Sequence, residues 1–339
     1  MNVYHGMTRE RLDELLEKIR GVRVALLGDL CLDVYWLADM RKSELSRETP
    51  HFPLPIVEER MSPGGGGNVA ANLAALGPTQ VYAVGSTGTD WRGDALRRLL
   101  DDMGVDTTHT VYLPGVLTNA YCKPLRMGIS NLVYEDPRLD FAGDEPLSAE
   151  AEDAVIASLD KLAPNIEVLC VSDQLHYGIV TKRVREHVMK LAQNGLTVIV
   201  DSRDRIGMYQ GVILKPNEVE GAKAAGIDEA NCIKDYVNAA LVLARKQDSE
   251  VLMTIGALGS LYAAKENVTY IPAHDIAGPI DIVGAGDTFL SGFSLAVATG
   301  ASKAEAAFFA TLCSEITIQK IGTTGVATTK EIVKWFEEA

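Results

Sequence analysis

Between residues 8 and 20, Leu12, Leu15, Leu16 and Ile19 recur at helical spacing, which predicts an amphipathic opening helix. Residues 22–28 form a short apolar run that reads as a buried strand leading into Asp29 and Asp33. From 35 to 61 the pattern turns polar and is broken by Pro50, Pro53 and Pro55. It ends in Pro63 and the glycines Gly64, Gly65, Gly66 and Gly67. Small residues from about Asn68 to Leu76 then predict a helix stopped by Gly77.

Residues 81–84 read as another strand, and Asp90 as the cap of a helix carrying Leu96, Leu99, Leu100 and Met103 on one face. Between 107 and 141 the pattern is strand-like, in runs at 110–113, 120–125 and 131–134, and predicts a small antiparallel sheet apart from the main body. After Ser148 strand patterns at 168–171, 196–201, 212–214 and 251–255 alternate with helical stretches. That alternation predicts an α/β fold with a mostly parallel sheet and crossover helices. Runs at 261–264 and 268–271 resemble a hairpin, and helices near 285–299, 303–319 and 329–337 finish the chain. A chain of 339 residues fits one large α/β domain or two smaller ones, and no internal repeat divides it.

Charge narrows the partners. The net charge of -14 argues against nucleic acid and anionic membrane surfaces, yet leaves a small anionic ligand open, since local amides and a metal decide that. The cysteines Cys31, Cys122, Cys170, Cys232 and Cys313 are scattered and form no Cys-x-x-Cys pair. This argues against a disulfide framework or zinc site and for a reducing cytoplasm. No apolar run reaches the roughly 18 residues of a membrane span, and the charged start is unlike a secretory signal.

The most informative segment is Asp281-Ile282-Val283-Gly284-Ala285-Gly286-Asp287-Thr288-Phe289. Small residues open a helix there, so bare backbone amides at its positive end can hold an anion. The Asp287 carboxylate in the same turn would repel a phosphate unless it serves as base for an incoming nucleophile. Cradle and base together point to phosphoryl transfer to a hydroxyl. The plainer reading is a packing loop with Asp287 as a cap; agreement with the neighbouring motifs favours the chemistry.

Four further segments carry two readings each. Gly64 to Gly67 with Asn68 allows close backbone approach to a ligand and offers an amide to hydroxyls, or is a hinge with Asn68 as helix cap. Asp29 and Asp33 at a strand end suit polyol hydroxyls, or belong to a turn and solvated surface. Asn217 and Glu220 share a first helical turn, where hard oxygens suit Mg²⁺ or its water shell; a capping box fits the spacing equally well. Thr254, Gly256 and Gly259 leave a strand and border a nucleotide, or make a tight hairpin turn. Gly65-x-Gly67-x-x-Ala70 is a partial dinucleotide fingerprint, but polar Glu58-Glu59-Arg60 and Pro63 precede it in place of a hydrophobic strand. No P-loop, His-Glu-x-x-His or Gly-x-Ser-x-Gly occurs.

Taken in order, these segments resemble the ribokinase/PfkB family of carbohydrate kinases over about the whole chain. The resemblance implies a ribokinase-like three-layer α/β fold, read as a single domain over 1–339, with a small β-sheet lid near 35–60 and 107–141. It implies Asp287 as catalytic base, and Gly284, Ala285 and Gly286 as the anion hole. Asp33, Gly64, Gly65 and Asn68 would hold the sugar. Asn217 and Glu220 would organise Mg²⁺, and Thr254, Gly256 and Gly259 would line ATP. Asp281 and Val283 occupy the loop where family members often bind a monovalent cation, here K⁺. Lids of this family often pair across a homodimer, and such a lid excludes water.

A narrower likeness joins Gly28 to Trp36 and Arg138-Leu139-Asp140-Phe141 to the heptose-7-phosphate kinases, which phosphorylate an anomeric hydroxyl. Val171-Ser172-Asp173 is similar to the same group and implies that Asp173 faces the sugar. Those kinases are often fused to a nucleotidyltransferase; the likeness here covers the kinase part. The acid in Ser43-Glu44-Leu45-Ser46-Arg47 and the insert Gln174-Leu175-His176-Tyr177 depart from that pattern. Lys123, Arg126 and Arg138 are the cations expected near a sugar phosphate. Kinases of another sugar, sugar phosphate or nucleoside fit the same motifs. A catalytically silent sugar- or nucleotide-binding regulator and a nucleotide-dependent oxidoreductase are the readings from other classes.

Overall fold

The computed structural model describes residues 1–130, 132–143 and 145–338. Its main body is a ten-stranded sheet ordered Asn2–Val3, Asn267–Ile271, Ser260–Ala264, Glu250–Thr254, Ile213–Leu214, Thr197–Ser202, Val168–Asp173, Arg23–Gly28, Gln80–Val84 and Val105–Asp106. All neighbours pair in parallel except the hairpin Ser260–Ala264 with Asn267–Ile271 and its pairing with Glu250–Thr254.

The strands are apolar on both faces because helices cover both. Along Arg23–Gly28, Val24 and Leu26 enter one core while Ala25 and Leu27 enter the other. Along Val168–Asp173, Val168 and Cys170 split from Leu169 and Val171 in the same way. The first core is closed by helices Arg9–Ile19, Gly66–Ala75, Trp91–Asp102, Ala285–Ala298, Lys303–Thr317 and Thr329–Glu338; the second by Ala149–Leu162, Lys182–Gln193, Glu218–Ala225 and Ile233–Gln247. This is the three-layer α/β arrangement that the resemblance implies.

A five-stranded sheet stands beside the main body. Val133–Glu135, Ala120–Met127, Leu30–Asp39 and Ile56–Gly65 lie in that order, with Leu139–Phe141 also pairing Ala120–Met127. It differs from expectation in three ways. Leu30–Asp39 and Ala120–Met127 run parallel, so the sheet is mixed. The polar stretch before the glycines is a strand, Ile56–Gly65, exposed over its first half; one-sided contact with solvent hides its apolar signal. The run at 110–113 pairs instead with Ser86–Gly88 in a separate ribbon. Asn131, the expected start of the last strand, lies outside the described residues.

Elsewhere the expected elements form within a few residues. Thr8 caps the opening helix, whose Leu12, Leu15, Leu16 and Ile19 are buried. Asp90 caps Trp91–Asp102, but Met103 falls just beyond it and is exposed. The glycine helix begins at Gly66, before Asn68.

Candidate active site

The carboxyl ends of the parallel strands converge on one place, as in other open α/β sheets. Arg23–Gly28 delivers Asp29, Val168–Asp173 ends in Asp173, Thr197–Ser202 carries Asp201, and Ile213–Leu214 runs into Lys215. Over this edge sits the first turn of helix Ala285–Ala298. Gly284 is its cap, with φ 82°, and a Cβ there would lie 2.9 Å from Asn68 Nδ2, so the turn requires glycine. The N–H groups of Gly286 and Asp287 make no backbone hydrogen bond among the described residues, leaving them to an anion. Lys215 Nζ comes within 3.4 Å of the position a Gly286 Cβ would take, which sets a buried cation beside those amides.

Asp287 accepts a hydrogen bond from Asn68 Nδ2 at 2.7 Å. Burial pushes its carboxyl up to about 6, with Asp201 and Asp33 adding to the rise, while the Asn68 bond and Lys215 oppose it. Lys215 pairs with Asp201 through Oδ2, and Asp201 Oδ1 accepts from Gln174 Nε2 at 3.1 Å. Asp33 lies at the base of the small sheet, 95% out of solvent by its 5% exposure, and Lys123 Nζ reaches its Oδ2 at 3.3 Å. Burial raises the Asp33 carboxyl, and Lys123 opposes that rise. Gly64 packs directly on Asp33, and Gly65 caps helix Gly66–Ala75, which carries Asn68. Asp287, the bare amides, Asn68, Asp33 and Lys215 thus lie close together where the main sheet meets the small one.

The family model for pfkB family carbohydrate kinases matches residues 44–330. The chain belongs to the pfkB family of carbohydrate kinases. As a pfkB kinase it is a phosphotransferase that acts on a sugar. It is 31% identical over 329 residues to a bifunctional protein HldE from Citrifermentans bemidjiense, covering 95% of this chain and 65% of that protein. A second bifunctional protein HldE, from Hyphomonas neptunium, is 32% identical over 332 residues, with 94% and 64% covered. The chain therefore spans just under two thirds of the length of these relatives. In fold it is similar to phosphofructokinase-2 from Escherichia coli in complex with substrates and products, at TM-score 0.71 and 21% identity over 94% of this chain and 99% of that one. Ribokinase from Arabidopsis thaliana complexed with ribose and ATP superposes at TM-score 0.68 and 20% identity, over 94% and 99%.

The motifs of this pfkB chain expected to line a nucleotide lie on adjoining strand ends. Asn217 bridges Thr254, whose N–H donates to the Pro216 carbonyl at 3.0 Å. Gly256 and Gly259 close the following turn through Gly259 N–H to the Gly256 carbonyl at 3.1 Å. The capping box is formed: Asn217 Oδ1 accepts from Glu220 N–H at 2.8 Å, and Glu220 Oε2 accepts from Asn217 N–H at 2.9 Å. Among the described residues no group of three or more His, Cys, Asp or Glu is placed to hold a metal. The free oxygen of Glu220 suits a Mg²⁺ that is held mainly by phosphates and water. Asp281 ties two loops together, with its carboxylate accepting from Val283 N–H at 3.1 Å and Gly322 N–H at 2.9 Å.

Asp173 does not fit the sugar-facing role expected of it. It is 1% exposed, and its oxygens accept from Ser202 Oγ at 2.7 Å, Tyr209 OH at 2.9 Å and the Arg205 guanidinium. Nor is Asp29 open to a polyol: it accepts from the N–H groups of Gln174 at 2.8 Å, Leu175 at 2.7 Å and Ile179 at 2.7 Å. Those bonds compete with burial, which raises its carboxyl to about 6. Both acids fasten the loop that follows Val168–Asp173, since Arg205 also holds the Leu175 carbonyl at 2.6 Å.

The cations expected for a sugar phosphate are paired in this structure: Lys123 with Asp33, Arg126 with Asp136 and Arg138 with Asp140. Sequence reading missed Lys215, Asp201 and Arg203. Arg203 is exposed and forms no ion pair among the described residues. The signal available was position: all three sit where a parallel strand ends.

Proposed function

We propose that this protein transfers the γ-phosphoryl group of ATP to a sugar hydroxyl, the acceptor being the anomeric hydroxyl of a heptose 7-phosphate. One observation carries the transfer: Asp287, held by Asn68, stands in the first turn of a helix whose leading amides are bare, with Lys215 beside them. The heptose acceptor is supported by the similarity to the bifunctional HldE proteins along the chain and by the likeness of residues 28–36 and 138–141 to heptose-7-phosphate kinases.

The residues divide the work as follows. Asp33, Gly64, Gly65 and Asn68 orient the sugar against Asp287. Asp287 takes the hydroxyl proton as attack proceeds; a carboxyl near 6 is a better base at neutral pH than an exposed one near pKa ~4. In the Gly284-Ala285-Gly286 turn expected to form the anion hole, the Ala285 N–H is spent on the Ile282 carbonyl at 3.2 Å, so the bare amides of Gly286 and Asp287, with Lys215, offset charge on the transferring group. When bound, ATP with Mg²⁺ supplies that group. Thr254, Gly256 and Gly259 line the nucleotide, and Asn217 and Glu220 face the metal's waters. K⁺ would lie in the loop of Asp281 and Val283, on backbone carbonyls, because the Asp281 carboxylate is already taken. Arg203, exposed just past the end of Thr197–Ser202 and without an ion-pair partner among the described residues, is available to a phosphate.

We read the whole chain as one kinase domain and the small sheet as its lid. Ile56, Val57, Val133, Tyr134 and Leu139 leave an apolar surface exposed on that sheet, which supports pairing of two copies through their lids. The five cysteines are unpaired, which suits the cytoplasm.

The insert at 174–177, fastened by Asp29 and Arg205 beside Asp201, favours a second reading in which another sugar, sugar phosphate or nucleoside is the acceptor. A panel of phosphorylated and free sugars and nucleosides, assayed for ADP release, tests both. Preference for heptose 7-phosphate is expected. Preference for another acceptor moves the assignment, and no turnover on any member would leave a silent binding protein.

A further inference from the structure

Helices Gly66–Ala75 and Ala285–Ala298 meet along a buried polar seam. Thr288 Oγ1 donates to Asn72 Oδ1 at 2.9 Å. Asn72 Nδ2 donates to Asn68 Oδ1 at 3.2 Å and to the Asn68 backbone carbonyl at 2.9 Å. Asn68 Nδ2 then donates to Asp287 Oδ2 at 2.7 Å. Asn68, Asn72 and Thr288 are 2%, 1% and 1% exposed, so water does not compete at any link but the last.

Direction along this chain is fixed by chemistry. An ionised carboxylate only accepts, so Asn68 must turn its NH₂ toward Asp287. Its oxygen then faces Asn72, which must present NH₂ there, and the backbone carbonyl of Asn68 pins Asn72 the same way round. The Asn72 oxygen in turn needs a donor, and the Thr288 hydroxyl is it, its single proton shared between Asn72 Oδ1 at 2.9 Å and the Gly284 carbonyl at 3.1 Å. Reversing either amide would oppose two oxygens in a buried place and strand an NH₂ group, costing about 1–3 kcal/mol.

We propose that Asn72 is a positioning residue for phosphoryl transfer: with Thr288 it keeps Asn68 turned as the hydrogen-bond donor to Asp287. The inference rests on the reading of Asp287 as the base. Charged and titratable groups that face Asp287 are Lys215, which favours its ionised form, and Asp201, Asp33 and the Cys31 thiol, which do not. None of these changes when Asn72 or Thr288 is replaced. Loss of the Asn68 donor removes support for the carboxylate, so Asp287 then titrates at higher pH.

The experiment is the pH profile of kcat/KM, with the best acceptor of the substrate panel and saturating ATP, for the parent, Asn72→Leu, Thr288→Val and Thr288→Ser. In Asn72→Leu the acid limb is expected to move up by about one pH unit, the size of one lost hydrogen bond to a charged group, with activity recovering toward an alkaline plateau. Thr288→Val, nearly isosteric, moves it in the same direction by less, and Thr288→Ser keeps the parent profile. An acid limb that stays in place in both Asn72→Leu and Thr288→Val, in proteins whose thermal melts show them folded, overturns the proposal whatever the plateau height. Asp287→Asn separates the two claims. If that variant turns over normally, the reading of Asp287 fails; if it is inactive while the limbs stay put, only the positioning role fails.

Discussion

A Cβ added to Gly64 would lie 2.6 Å from Asp33 Oδ1, well inside any tolerated contact. Across the antiparallel strands Leu30–Asp39 and Ile56–Gly65, Gly64 pairs with Cys31 and Asp33 with Ser62, so the two residues are diagonal neighbours and the glycine makes room for the carboxylate at the base of the small sheet. Gly64→Ala therefore pushes Asp33 aside without touching Asp287. The expected result is a KM for the sugar raised about tenfold, equal to ~1.4 kcal/mol, with kcat and the KM for ATP little changed. Steady-state kinetics in both substrates checks this; an unchanged sugar KM would remove Asp33 from the sugar site.

Asp287→Asn keeps the shape of the site and the Asn68 contact but cannot take a proton. Turnover should fall by about 10²–10⁴-fold, the range of general base catalysis, while nucleotide binding by calorimetry survives. If Asp287 is the base, as proposed, its ionised carboxylate is the active form, and burial pushes that carboxyl up to about 6. Activity is therefore full above that pH and falls about tenfold per unit as pH drops below it. A kcat/KM that stays flat well below pH ~6 would assign the base to another group.

Lys215 is 3% exposed, and Asp201 is its ion-pair partner. Lys215→Met leaves that carboxylate buried and unpaired, for a loss of about 3–5 kcal/mol in unfolding free energy. Adding Asp201→Asn should return much of the stability, measured by denaturant unfolding. Phosphoryl transfer should not return, because the cation beside Gly286 is still missing.

For Asp173 a structural role predicts the opposite pattern. Arg205→Ala strands a buried carboxylate and should cost about 3 kcal/mol. Asp173→Asn should lower the melting temperature while the KM for the sugar, measured where the variant is folded, stays at the parent value. A selective rise in sugar KM would restore Asp173 to the sugar site.

Much of the fold was legible because its signals are local. Leu12, Leu15, Leu16 and Ile19 announce their helix, and the two-sided apolar strands announce a sheet covered on both faces. Asp281 to Phe289 marks its helix start by small residues alone. The small sheet was read less well. Ile56–Gly65 faces solvent along its first half, so alternation is weak, and the parallel pairing of Leu30–Asp39 with Ala120–Met127 joins segments far apart in the chain. Asn217 and Glu220 could not be assigned from spacing, since a capping box and a metal-facing pair use the same interval; the structure shows the box formed.

The sequence by itself determined which chemistry the chain can perform: bare amides and an acid in one helical turn are a property of neighbouring residues. It could not determine which acids are free. Asp29, Asp33 and Asp173 look alike along the chain, yet Asp29 is fastened to loop amides and Asp173 to Arg205, while Asp33 is held by Lys123 and its charge helps to raise the Asp287 carboxyl. That choice depends on hydrogen bonds between strands and loops distant in sequence. The same holds for the chain from Thr288 through Asn72 and Asn68 to Asp287, which exists only because two helices separated by some two hundred residues pack together.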